Sequence, residues 1–269
     1  MKLCEAYQIV DGLAPKSISD EYCLTYGAYD NSGVLIDVGE EIKSAVFSLD
    51  LSVAAIEKAV QSGANLIVTH HPAIYGKISD IRASDFEPLD KKLVTVLRGG
   101  ISVISMHLNL DCAQGGIDES LMQGVCLASG ADEQKDVALM HALSVGGYGR
   151  AYAIKPTTLQ VLTENIKTVF STERLEVYGD KNKTISRVAS FCGGGADEAA
   201  VEFAVKQKAD AILSSDFKHH VITLAIESGL SVIALTHYAS ENYGFEKFYQ
   251  KIRQRMGIPC IFHTDDVLL

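Results

Sequence analysis

Along SVAAIEKAVQSGA (52–64), Val53, Ile56 and Val60 recur at helical spacing, and the short β-branched run NLIVT follows directly. That is a helix, a glycine turn and a strand. The same alternation returns in PLDKKLVTVLRGG before ISVISMHLNLD, in EAAVEFAVKQKA before DAILSSDFKHH, and in VITLAIESGL before SVIALTHYASE. Four times a helix feeds an apolar strand that ends in polar residues. Such alternation predicts an α/β fold with mixed, largely parallel sheets covered by helices. The stretch YGRAYAIKPTTLQVLTENIKTVF adds one more strand and helix, with Pro156 and Thr157 suited to opening the helix.

Ligands in open α/β sheets collect where strands end. These strands run out into His70 and His71, into His107 and Asp111, into Asp216, His219 and His220, and into His237 and Glu241. His107 falls late in its own strand, while His141 and His263 lie outside the modules and read as ordinary hydrogen-bonded histidines. Consecutive strand residues point to opposite faces, so one metal uses both His70 and His71 only if Pro72 turns the backbone out of the sheet; two adjacent metals use both naturally. His237 and Glu241, four apart, share a face if a helical turn follows their strand. Asp111 offers a carboxylate able to bridge two cations. Three imidazoles and two carboxylates suit Zn, Fe, Mn, Co or Ni better than Mg or Ca. Ions of that kind bring the pKa of a bound water toward neutrality, which suits hydrolysis.

At 269 residues and 47% hydrophobic content the chain can bury one large core or two smaller ones. A formal charge of −10, with no Lys/Arg cluster, argues against nucleic acid as a partner. The N-terminus lacks the apolar core of a signal peptide, and no stretch reaches the roughly 18–20 apolar residues of a membrane span. The protein is therefore expected to be soluble and cytoplasmic. Cys4, Cys23, Cys112, Cys126, Cys192 and Cys260 form no C-x-x-C pair and are expected to be free thiols.

The stretches YDNSG (29–33), GANLIVTHHPAIYG (63–76), HLNLDCAQGGIDESL (107–121), FCGGGADE (191–198), SDFKHH (215–220) and THYASENYGFEKF (236–248) together resemble the Nif-three-like dinuclear metal-centre family, whose members are often described as homologues of GTP cyclohydrolase I type 2. They span nearly the whole chain. The resemblance implies metal ligands at His70, His71, Asp111, His237 and Glu241, holding two divalent transition-metal ions per chain. It places His107 and His220 near the metals, for proton transfer or for orienting ligands. It also implies two side-by-side α/β lobes, one of residues 1–128 with 230–269 and one of 129–229, and a ring-shaped homohexamer. Tyr29 stands where the family usually has Trp, Thr236 where it usually has Gly, and the length matches the short form without an inserted domain.

Gly193, Gly194 and Gly195 lie between a strand and a helix, where they either cradle an anion with backbone N–H groups or make a tight turn that needs glycine. Arg150 in VGGYGR is a second candidate phosphate contact. The leading expectation is a metal-dependent hydrolase of a small, nucleotide-like molecule. The alternative is a non-catalytic metal-binding ring with a regulatory or partner-binding role.

Overall fold

A computed structural model describes residues 1–78, 80–82, 88–131 and 135–269. Its backbone divides into two compact units, residues 1–113 with 245–265, and 114–244 with 266–269. In chain order the first unit carries α1 (Leu3–Asp11), α2 (Lys16–Tyr26), β1 (Gly33–Ile36), β2 (Ala45–Ser48), α3 (Val53–Ser62), β3 (Leu66–Thr69), α4 (Pro88–Arg98), β4 (Ser102–Ser105) and α5 (Leu108–Cys112). The second carries α6 (Ile117–Ser129), β5 (Lys135–Ala142), β6 (Gly147–Thr158), α7 (Leu159–Val169), β7 (Leu175–Tyr178), β8 (Thr184–Ser190), α8 (Glu198–Lys206), β9 (Ala211–Ser214), α9 (His219–Glu227) and β10 (Ser231–Leu235). Helix α10 (His237–Ile252) begins in the second unit and ends in the first, which closes with β11 (Cys260–Phe262).

In the first unit the strand order is β1-β4-β3-β2-β11, parallel throughout except for β1 at the edge. Every residue of β2, β3 and β4 is buried, so the strands read as continuous apolar runs rather than alternating ones. Val46, Ile67 and Val103 pack with Ile56, Ala59, Leu93 and Val96 from the covering helices. Ser52 caps α3 by accepting from the Ala55 N–H, and Gly63 ends it in the left-handed conformation. The face that α3 buries is Ala55, Ile56 and Ala59, while Val53 and Val60 are more than half exposed. The expected stripe is thus rotated: the two alanines let the helix lie close to the sheet, and the valines fall on its flanks.

His107 is not in a strand as expected. Strand β4 stops at Ser105, and His107 caps α5. Its N–H donates to Ser32 Oγ at 3.0 Å instead of to a ladder, and its carbonyl accepts from Leu110 and Asp111.

The second sheet runs β5-β6-β8-β9-β10-β7, with β8, β9 and β10 parallel at its centre and antiparallel strands on both sides. Its core joins Ala189, Phe191, Ile212 and Val232 to Ala200, Val201 and Val221 of the flanking helices. Pro156 and Thr157 belong to β6, not to the helix they were expected to open. The β6–β8 register shifts between Ala153 and Thr157, and a proline with no N–H to give fits that irregularity. Thr158 caps α7 instead, its hydroxyl accepting from Val161 N–H. Strand β10 pairs with β9 and β7, and α6 packs on β6 and α7. Residues 117–129 and 231–235 therefore go with the second unit. Among the described residues no helix is long and apolar enough to cross a membrane.

Candidate metal centre

In the first unit, His70 and His71 leave β3 with both N–H groups bonded to the Leu49 carbonyl, at 3.1 and 2.9 Å. This turns the chain out of the sheet. The His70 ring is fully buried, with Nδ1 2.7 Å from the Met106 carbonyl and Nε2 3.5 Å from Asp111 Oδ1. A carbonyl only accepts, so Nδ1 carries a proton there, and Nε2 is the nitrogen turned toward Asp111. His71 Nδ1 bonds Asp50 Oδ1 at 2.7 Å, and His107 Nδ1 bonds Asp30 Oδ1 at 2.8 Å. The three rings are neighbours, with centroids 4.8 Å apart for His70–His71, 5.4 Å for His70–His107 and 6.0 Å for His71–His107. Donor atoms of His70, His107 and Asp111 all lie within 4.8 Å of one another.

Charge at His107 is set by its partner. Burial by itself pushes the Asp30 carboxyl up, but hydrogen bonds from His107 and Ser32 overcome it and bring the pKa down to about 2. Burial likewise disfavours the imidazolium of His107, and the bond to Asp30 with the Asp111 charge outweighs it, so its pKa is raised.

In the second unit, α10 opens at His237 and brings Glu241 one turn later onto the same face, with His237 Nε2 3.1 Å from Glu241 Oε2. His237 Nδ1 is tied to Asp216 Oδ2 at 2.5 Å. Glu241 is buried beside the β8–α8 turn. Gly193 there has φ +56°, and a Cβ on it would sit 2.3 Å from Glu241 Oε1. The Gly193 N–H donates to Ser240 Oγ at 3.2 Å, and its carbonyl accepts from Ser214 Oγ, Ser215 Oγ and Ser215 N–H. A Cβ on Gly195 would lie 1.8 Å from the Tyr148 hydroxyl, which donates to the Cys192 carbonyl at 2.6 Å. Of the two readings of this turn, close approach explains Gly193 and Gly195, and the Gly193 N–H is already engaged within the protein.

Arg150 does not stand free for a phosphate. It is buried, paired with Asp118 and 3.7 Å from Glu119. Asp118 also accepts from the N–H groups of Gly149 and Cys192. His220, the second residue of α9, has Nε2 2.8 Å from Glu198 Oε1, with both side chains well exposed. His219 beside it is exposed as well. None of the six cysteines is in a disulfide.

The chain matches the family described as Duf34/NIF3 (NGG1p interacting factor 3) over residues 1–266. It belongs to that family. A Clostridium perfringens relative named GTP cyclohydrolase 1 type 2 homolog is 28% identical over 258 residues, 95% of this chain and 93% of its own. Among solved structures, reduced HcgD from Methanocaldococcus jannaschii is 26% identical with a TM-score of 0.77 over 97% of each chain. Staphylococcus aureus hypothetical protein SA1388 has a TM-score of 0.82 at 21% identity, covering 98% of this chain and 96% of its own, a likeness of fold.

The donors of this NIF3 protein fit a divalent transition metal. In the first unit His70, His71 and His107 have Nδ1 held by an oxygen of Met106, Asp50 or Asp30, and in the second unit His237 has Nδ1 held by Asp216, so Nε2 is the nitrogen each presents. The roles of Asp30, Asp50 and Asp216 behind the rings are not evident from the sequence pattern. Asp50 stands just past the end of β2, where the same rule that singled out the histidines could have found it.

Proposed function

We propose that His70, His71, Asp111, His237 and Glu241 hold two divalent transition-metal ions and that the protein is a metal-dependent hydrolase of a small, heterocyclic, nucleotide-like molecule. One observation carries the reading: every histidine of the ligand set has its Nδ1 fixed by an oxygen and its Nε2 presented, an arrangement typical of metal-ligating imidazoles. Ions bound by these residues would supply Lewis acidity and a water whose pKa is brought near neutrality. The name borne by the clostridial relative suggests ring-opening hydrolysis of a purine nucleotide.

The chain's own residues supply binding and proton transfer. Asp50 and Asp216 hold His71 and His237 in one tautomer and one orientation. His107 is the first candidate to take and return a proton, since Asp30 stabilises its imidazolium. His220, oriented by Glu198, is the second. The proposal extends to a homohexameric ring in the cytoplasm; sedimentation of the purified chain tests the assembly and fractionation of cells tests the location.

The ligand set is tested by metal analysis. Wild-type protein should carry about two transition-metal ions per chain, because five donors exceed what a single tetrahedral site with an open position uses. Asp111→Ala and Glu241→Ala should each lose at least one. Unchanged metal in both variants would sink the assignment.

A further inference from the structure

The YDNSG segment supports the histidine cluster of the first unit, and four of its residues have evident structural work. Asp30 holds the His107 ring; the Ser32 hydroxyl lies 2.6 Å from Asp30 Oδ2, 2.9 Å from Asn109 Oδ1 and accepts the His107 N–H at 3.0 Å. Asn31 Nδ2 donates to the Ile74 carbonyl at 2.6 Å, tying this segment to the loop after the double histidine. Gly33 has φ +127°, a conformation that side chains rarely adopt.

Tyr29 has no such buried task. Its ring is 55% exposed and meets the ring of Tyr75, itself 61% exposed, at 5.4 Å and 86°. Tyr75 in turn stands at 86° to His107, with centroids 6.3 Å apart. A single exposed tyrosine needs no explanation. Two held edge to face, one of them against a histidine of the donor cluster, leave aromatic surface open to water beside the groups that would do the chemistry. The Tyr75 hydroxyl reaches the Tyr29 carbonyl at 3.4 Å, so the pair is also linked through the backbone.

We propose that Tyr29 and Tyr75, set at right angles, form an aromatic corner that takes a planar heteroaromatic ring face-on against one ring and edge-on against the other, which makes the substrate a nucleobase-like heterocycle held by aromatic contact rather than by a phosphate. A ring laid on this surface covers the apolar area that the fold leaves exposed, and it lies next to His107. This inference names the substrate class of the site proposed above, and it rests on that reading only for the fate of the bound ring. Binding can therefore be measured without turnover.

The test is equilibrium dialysis of full-length protein, metal-loaded and metal-stripped, against guanosine, with ribose and tetramethylammonium as non-aromatic probes. The protein set is wild type, Tyr75→Phe, Tyr75→Leu and Tyr29→Leu, each checked for metal content and thermal unfolding. Both side chains are exposed, so the leucine variants should fold. Guanosine should bind wild type and Tyr75→Phe within about twofold of each other and weaken about tenfold or more in each leucine variant, the scale of one lost base–aromatic stack. Metal content should be equal in all four. Guanosine bound equally well by the leucine variants, or not bound by wild type, would overturn the aromatic corner, as would tetramethylammonium binding in its place. Absence of metal from every protein, with guanosine still lost in the leucine variants, would remove the metal reading and leave the aromatic corner standing.

Discussion

At the scale of single residues, the decisive atoms are the oxygens behind the imidazoles. A neutral histidine can present either nitrogen, and an ion site that must wait for the right tautomer and rotamer binds weakly. Asp50 and Asp216 remove that freedom from His71 and His237 through bonds of 2.7 and 2.5 Å. Replacing either aspartate by alanine is expected to keep the fold, since both are partly exposed, and to lower metal affinity about 10- to 100-fold. Competition with a chelator of known affinity measures this, and an affinity unchanged in both variants would contradict it. Sequence shows the histidines but not these partners. His237 and Glu241 are legible because four residues in a helix make neighbours, whereas Asp50 is 21 residues from His71 and Asp30 is 77 from His107. No local periodicity relates residues on different strands and turns.

Elements show the same boundary between what is local and what is not. Helical stretches followed by short apolar runs that end in polar residues correctly mark β3, β4, β9 and β10 as buried strands, since strands covered on both faces are apolar along their length. Val53, Pro156 and His107 defeat local reading, each through a contact with a distant segment: the close approach of α3 to its sheet, the register shift of β6 against β8, and the bond that the His107 N–H donates to Ser32. The β8–α8 turn is where this matters for the site. In sequence its glycines read equally as an anion cradle or as a tight turn, and in the structure neighbouring side chains occupy the space of a Cβ at two of them. Gly193→Ala should drive the Glu241 carboxylate away and forces an L-residue to φ +56°, so it should lose metal as well as stability. Gly195→Ala meets the Tyr148 hydroxyl and should cost stability, about 1–3 kcal/mol, by breaking that side chain's bond to Cys192. At Gly194 a Cβ meets Asp216 no closer than 3.5 Å, so Gly194→Ala should change stability by no more than about 0.5 kcal/mol. Urea unfolding read beside metal content checks all three, and a Gly193→Ala protein with full metal would refute the account of the turn.

For the whole molecule, charge bears on which substrate the proposed centre prefers. GTP brings about four negative charges at neutral pH, and a chain of formal charge −10 must offset them locally. The structure removes two of the groups that sequence offered for the purpose. Arg150 is committed to Asp118 and Glu119, and the Gly193 N–H to Ser240. Lys77 and Lys218, which adjoin the metal motifs in sequence, are exposed and flexible cations whose pairing with phosphate is weak in water. On the proposed assignment the ions would supply the remaining positive charge, and Asp111 and Glu241 would partly neutralise it. A triphosphate therefore gains little that a neutral heterocycle would not, and it adds repulsion from the rest of the chain. With metal-loaded protein, GTP turnover is expected to stay below a kcat/KM of about 10⁴ M⁻¹s⁻¹, with the corresponding nucleoside or free base preferred at low ionic strength. Steady-state assays of GTP, guanosine and guanine over a range of salt decide the matter: a GTP value above that figure, falling as salt rises, would show an attractive phosphate site that neither Arg150 nor the glycine turn provides.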